Sequence, residues 1–116
     1  MTEQKLTAVV TGGSRGIGRA IAEVLADHGW QVYLTYTSQP EQANEACGQI
    51  AERGGSAHSF ALDVSDREAV ASFFRESIKG RVSLGLLVNN AGVTKDGLLL
   101  RMKSADWSQV LQVNLP

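Results

Sequence analysis

Thr11-Gly-Gly-Ser-Arg-Gly-Ile-Gly-Arg-Ala-Ile21 sets four glycines into positions 12–18 and passes at once into a helical apolar pattern. Glycine loses more backbone freedom on folding than any other residue. Such density marks a place where the chain turns sharply or lies against something a side chain would block. Upstream, Leu6–Thr11 (LTAVVT) is a short β-branched run that halts at the glycines, as a buried parallel strand does. Downstream, Ile17, Ala20, Ile21, Val24, Leu25 and His28 recur at helical spacing, with Gly29 as the stop signal. His28, in the last turn, reads as a cation at the negative end of the helix dipole rather than as a catalytic group.

The same alternation continues outward. Gln31–Tyr36 is a second strand. Ser38-Gln-Pro-Glu41 has the residues of a capping box with an early proline. It opens a helix with Ala43, Ala46, Cys47 and Ile50 on its apolar side, ending at Gly54-Gly55. Ala57–Leu62 is a third strand. Ser65-Asp-Arg-Glu68 is a second capping box, leading to Val70, Phe73, Phe74, Ser77 and Ile78 before Gly80. Leu84–Val88 is a fourth buried strand running into Asn89-Asn-Ala-Gly92. Last, Ser104 is placed to cap a helix carrying Trp107, Val110 and Leu111 on one face, with Asp106 near its start. Strands alternating with helices predict an α/β fold, a parallel sheet with helices on both faces. No repeat, low-complexity tract or Pro/Ser-rich linker divides it, so one domain, 1–116, is expected.

Composition excludes several functions. A chain of 116 residues with 43% hydrophobic and 20% charged residues is ordinary for a globular domain. A net charge of −1 supplies no general field for nucleic acid or an anionic membrane. Cys47 is the only cysteine, so there is no internal disulfide and no zinc cluster, and it reads as a small apolar filler; no metal site is expected. The N-terminus lacks a secretory signal pattern, and no stretch approaches the ~18–20 apolar residues that span a bilayer. A cytoplasmic protein without membrane or nucleic-acid partners is the expectation.

A glycine turn between the first strand and first helix is where such sheets hold phosphate, since free N–H groups and the helix dipole both face the ligand. Gly12 suits the tight turn, Gly16 a close approach to a pyrophosphate, and Gly18 close packing of helix on sheet. The spacing Gly12-x-x-x-Gly16-x-Gly18 differs from G-x-G-x-x-G and lacks the G-K-[ST] ending of a P-loop. After the second strand, where an NAD site commonly has Asp or Glu for the ribose 2′-hydroxyl, the chain reads Thr35-Tyr-Thr-Ser38. Arg15 in the turn offers a guanidinium to a 2′-phosphate, although a solvated surface arginine is the plainer alternative. The pattern favours NADP over NAD.

At this point the sequence resembles the short-chain dehydrogenase/reductase family. Thr11-Gly-Gly-Ser-Arg-Gly-Ile-Gly18 matches that family's T-G-x-x-x-G-x-G, Asn89-Asn-Ala-Gly92 its N-N-A-G, and Asn114 in Gln-Val-Asn-Leu115 its helix asparagine. Within the family, Gly92–Lys103 and Trp107 are most similar to the 3-oxoacyl-[acyl-carrier-protein] reductases of fatty-acid synthesis. The resemblance implies a Rossmann-type doubly wound sheet of about four strands, order 3-2-1-4, truncated after the start of the fifth long helix. It implies NADPH-dependent reduction of a 3-oxoacyl thioester, on acyl carrier protein, by a full-length protein that is commonly a homotetramer. By position, Gly12, Gly13, Ser14, Arg15, Gly16, Ile17 and Gly18 would line the pyrophosphate and 2′-phosphate side of NADP. Thr37 would lie near the 2′-phosphate, Asp63 and Val64 at the adenine, and Asn90, Ala91 and Gly92 along the ribose. Asn114 would anchor a water in the proton relay. Plainer readings stand beside these: turn chemistry for Asp63, satisfaction of buried backbone for Asn89 and Asn90, core or interface packing for Trp107, and a solvated face for Lys95, Arg101 and Lys103.

The family's chemistry also needs a Ser and a Tyr-x-x-x-Lys pair. Tyr33 and Tyr36 are followed four residues later by Thr37 and Pro40, so neither forms the pair. Pro116, directly after Asn-Leu, departs from the family pattern and would tend to end a helix. The 116 residues are therefore expected to be the N-terminal, cofactor-binding part of a reductase, inactive alone, with the outer edge of the fourth strand uncovered. Two alternatives remain: a non-catalytic nucleotide-binding or interaction module, and an S-adenosylmethionine domain, which lacks the expected acidic ribose ligand.

Overall fold

The structure, a computed structural model, describes residues 5–14, 16–90, 98–102 and 109–113. Its elements follow the alternation of the sequence: β1 (Leu6–Thr11), α1 (Gly16–Asp27), β2 (Gln31–Tyr36), α2 (Pro40–Glu52), β3 (Ser56–Ala61), α3 (Arg67–Phe73) and β4 (Ser83–Asn89). One π-helical turn, Phe74–Ile78, continues α3. The four strands pair in parallel in the order β3-β2-β1-β4, the expected Rossmann-type sheet.

Period-two alternation divides the core between the two faces of this sheet. Ala8, Val10, Val32, Leu34, Leu86 and Val88 point one way, onto Ala22 and Ala26 of α1 and Ala43, Ala46 and Ile50 of α2. Val9 points the other way, into a layer with Leu62, Phe73, Ile78 and Val82, against which Tyr33, Phe60 and Leu87 pack. Phe60 meets Tyr33 and Phe73 with ring centroids 4.8 and 5.1 Å apart. Each fully buried Leu or Ile side chain, such as Leu34 or Ile50, contributes about 1.5–3 kcal/mol.

The buried side of α1 differs from the expected one. Gly18, Ala22 and Ala26, four residues apart, face the sheet, while Ile17 and Val24 are 50% and 56% exposed. The reason is proximity: the helix lies so close to the sheet that only small residues fit beneath it, and Ile21 and Leu25 pack at the margin of the core. Neither capping box forms as expected. Gln39 precedes α2 without a side-chain cap, leaving proline to set the first turn. Asp66 caps α3 by accepting from the Ala69 N–H at 3.1 Å, because Ser65 is engaged with Asp63 instead.

Two further strands correct the expected end of the chain. β5 (Leu98–Met102) pairs antiparallel with β4, and β6 (Gln109–Val113) pairs antiparallel with β5. Val110 and Leu111 therefore belong to a strand rather than to a helix, and the outer edge of β4 is covered. An open edge presents a row of unpaired N–H and C=O groups, which an adjacent apolar segment satisfies by adding to the ladder. Ser104, Asp106 and Trp107, named for that helix, lie outside the described residues.

Candidate functional site

The turn from β1 to α1 lies between β2 and β4, and both neighbours hold it. From the β2 side, the Gly12 N–H donates to Thr35 Oγ1 at 3.3 Å and the Gly13 N–H to the Thr35 carbonyl at 3.1 Å. From the β4 side, Asn90 Nδ2 donates to the Gly12 carbonyl at 3.2 Å. The Asn90 N–H donates to Thr11 Oγ1 at 2.9 Å, and that hydroxyl faces the Val88 carbonyl and Asn89 Oδ1. Asn90 thus takes up a backbone carbonyl of the turn, one of the readings its place at the strand end suggested, while Asn89 Oδ1 meets the Thr11 hydroxyl.

The glycines serve distinct ends. Gly12 and Gly16 stand at φ 64° and 62°, the left-handed region that side chains rarely adopt. No atom lies within 4 Å of where a Cβ on Gly16 would stand, so the main chain there is open to an approaching group. A Cβ on Gly18 would strike the Gly12 carbonyl oxygen and come within 2.6 Å of Asn90 Nδ2. A Cβ on Gly13 would come within 2.7 Å of Leu34 Cβ. Gly18 thereby permits the close helix-on-sheet packing its position predicted. Beyond the turn, the first N–H groups of α1 have no helical acceptor and carry the positive end of its dipole.

A cleft of about 180 Å³ opens at the C-terminal ends of β1, β2 and β3, lined by Gly12, Thr35, Tyr36, Thr37, Leu62, Asp63 and Val64. A smaller hollow beside it shares Tyr36 and Thr37 and adds Ser14, Ser38 and Gln39, so among the described residues no carboxylate lines it. Asp63 is fixed at the rim: its Oδ1 accepts from Ser65 Oγ at 2.6 Å and from the Ser65 N–H at 2.9 Å. These bonds, the side-chain one first, hold its carboxyl below the ordinary value of 3.8. Turn chemistry and a place in the cleft thus coincide at Asp63. A third, mostly apolar hollow lies on the α3 face, between Val64, Val70, Phe73, Phe74 and Leu87.

The structure brings Gly12, Gly13, Ser14, Gly16, Ile17, Gly18, Thr37, Asp63, Val64 and Asn90 to this end of the sheet. Arg15, Ala91, Gly92 and Asn114 lie outside the described residues. His28 Nδ1 is 2.8 Å from the Val24 carbonyl at the end of α1, away from the cleft. Burial pushes the Cys47 thiol above its ordinary value, as suits a filler of the α2 core.

A family model for the short chain dehydrogenases matches residues 6–116. The chain belongs to the short-chain dehydrogenase family. Among relatives of this chain is the 3-oxoacyl-[acyl-carrier-protein] reductase FabG of Staphylococcus aureus, 40% identical over 109 residues. That match covers 94% of this chain and 44% of the reductase. The corresponding FabG of Aquifex aeolicus is 43% identical over 113 residues, covering 97% of this chain and 45% of the relative. The chain thus spans less than half the length of these relatives. Among solved structures, a dehydrogenase/reductase from Sinorhizobium meliloti superposes with a TM-score of 0.71 at 41% identity, over 82% of this chain and 37% of that one. A metagenomic short-chain oxidoreductase in complex with NADP gives 0.70 at 39% identity, over 82% and 42%. The family model shows membership of the short-chain dehydrogenases, and the likeness to 3-oxoacyl-[acyl-carrier-protein] reductases comes from the named relatives.

The sequence places Thr35-Tyr-Thr-Ser38 at the ribose end of the second strand but singles out only Thr37 there as a contact; the structure adds Thr35, Tyr36, Ser38, Gln39 and Leu62 to the cleft and the hollow beside it. Thr35 had a readable signal: a polar residue inside an apolar parallel strand needs a buried partner. The other four carry none, because only the crossovers bring the ends of β1, β2 and β3 together. Among the described residues no helix is long and apolar enough to cross a membrane.

Proposed function

We propose that residues 1–116 are the coenzyme-binding part of a single-domain, cytoplasmic reductase that uses NADPH to convert a 3-oxoacyl thioester, presented on acyl carrier protein, to the 3-hydroxyacyl thioester. The observation that carries the reading is the cleft at the ends of β1–β3, with the glycine turn at one side and, at the other, a hollow whose described lining residues carry no carboxylate. The residues present fit the coenzyme. Gly16 has open space beside its Cα, the first turn of α1 offers a diphosphate N–H groups that have no helical acceptor, and hydroxyls rather than acids border the hollow among the described residues. The names and family of the relatives support the same activity.

In this reading Ser14, Gly16, Ile17 and Gly18 face the diphosphate, while Gly12 and Gly13 shape the turn. Arg15 and Thr37 hold the 2′-phosphate, Asp63 and Val64 border the adenine, and Asn90, Ala91 and Gly92 follow the ribose. Asn114 anchors a water of the proton relay. The bound nicotinamide supplies hydride, and the protein supplies position and the proton. Residues 1–116 contain no Tyr-x-x-x-Lys, so this segment alone binds coenzyme without reducing a ketone.

Two measurements test the proposal. The complete gene product consumes NADPH when given an acetoacetyl thioester, and the isolated 116 residues do not; turnover by the latter contradicts the assignment of the missing groups. Arg15→Ala removes a charge-assisted bond worth about 1.5–3 kcal/mol, so NADPH binding falls roughly tenfold to a hundredfold while NADH binding holds. An equal loss for both coenzymes removes Arg15 from the 2′-phosphate.

A further inference from the structure

β2 buries two hydrogen-bonding side chains among apolar ones: Gln31 is 7% exposed and Thr35 1%. Gln31 sits at the N-terminal end of the strand and is accounted for inside the sheet. Its Nε2 donates to Thr7 Oγ1 at 2.9 Å and its Oε1 accepts from Ser56 Oγ at 3.3 Å. Thr35 sits at the opposite end, and its two oxygens serve the glycine turn: the hydroxyl accepts from Gly12 N–H and the carbonyl from Gly13 N–H.

An N–H committed to one acceptor is not available to another. Two consecutive amides of the turn are thus directed onto β2, while Asn90 holds the Gly12 carbonyl from the other strand. Gly13 comes so near Leu34 that a Cβ would stand 2.7 Å from the leucine Cβ, so the turn cannot settle closer. Donation to an anion is left to the N–H groups that open α1. Where that first turn begins relative to the cleft is decided by the grip on Gly12 and Gly13, and Thr35 itself lines the cleft.

We propose that Thr35 is a positioning residue of the coenzyme site: its hydroxyl clamps the Gly12 peptide so that the first turn of α1 presents its amides to the diphosphate. This rests on the coenzyme reading above. Valine has nearly the same shape as threonine but offers no acceptor, so Thr35→Val leaves the Gly12 N–H unpaired in a partly buried turn.

The test is coenzyme titration of the complete gene product and its variants, well below their unfolding temperatures. Thr35→Val weakens NADPH and NADH alike, by about tenfold, since the diphosphate is common to both. Thr35→Ser, which keeps the hydroxyl, restores the affinity. A purely structural role would lower the unfolding temperature without moving either dissociation constant, so unchanged affinity in folded Thr35→Val overturns the proposal. Amide hydrogen exchange supplies a readout in wild type that needs no variant. The Gly12 N–H is expected to be protected without coenzyme, and exchange as fast as an open turn amide overturns the clamp. Failure of the wild type to bind either coenzyme, with Gly12 still protected, overturns the coenzyme reading and the positioning role that depends on it.

Discussion

Asp63 illustrates how one side chain serves a local turn and a site together. Ser65 donates two hydrogen bonds to Asp63 Oδ1, and they favour the ionised form over the neutral one. Its folded pKa lies below the ordinary 3.8, so the stabilisation from these bonds is complete above 3.8 and disappears as pH falls through the lowered value. Titration of the Asp63 carboxyl carbon by NMR is expected to show a midpoint below 3.8, and Ser65→Ala to return it toward that value. A midpoint at or above 3.8 in the wild type contradicts the arrangement. The tetrad of Thr11, Gly12, Thr35 and Asn90 follows the same logic, since the Gly12 N–H, the Gly12 carbonyl and the Asn90 N–H each have a partner within it.

The helices show why one glycine is required and another is dispensable. Gly48 lies in α2 with no atom within 4 Å of a would-be Cβ, so Gly48→Ala gains about 0.5–1 kcal/mol from backbone entropy alone. Gly18 also lies in a helix, but its Cβ would meet the Gly12 carbonyl and Asn90, both held in place. Gly18→Ala is expected to cost about 1–3 kcal/mol as overpacking. Denaturant unfolding of the two variants checks the contrast, and equal effects would contradict the close approach of α1. Much of this element scale was legible in the sequence. β1 and β2 have their expected limits, and β3 and β4 shift by about one residue at their ends, because hydrophobic runs bounded by glycines specify strands well. The buried side of α1 was not legible, since periodicity ranks large apolar residues first, whereas a helix pressed against a sheet selects small ones. The β5–β6 pair was not legible either, because the demand it meets arises at the edge of β4, far away in sequence. The cap of α3 was misassigned by one residue, since Ser65 and Asp66 both suit the position and only the nearby Asp63 decides between them.

The chain runs from β1 outward to β2 and β3, then returns to the other side of β1 to form β4. Where the direction of winding reverses, between β1 and β4, the crossovers leave in opposite directions, and sheets of this kind bind ligands at the carboxyl ends beside that point; the cleft here opens on its β1–β3 side. The glycine turn and the paired asparagines stand at the carboxyl ends of β1 and β4, so topology and motif select the same end of the sheet. That coincidence is why the candidate residues named from motifs gather at one end of the sheet among the described residues, while the residues that merely shape the cleft carry no motif. Across the α1–α2 surface, Arg19 pairs with Glu23 and Glu45, and Arg53 with Glu23 and Asp27, on the side walls rather than at the crevice. Such exposed pairs each add little to stability, so the charges of the site are those carried by the turn and the rim. The central claim is that the main-chain amides opening α1 hold the diphosphate of a nicotinamide coenzyme. Isothermal titration calorimetry of the folded, complete gene product tests it most directly. The account predicts saturable binding of both coenzymes, with NADPH the tighter; the absence of binding heat with both, over a range of temperatures, contradicts it.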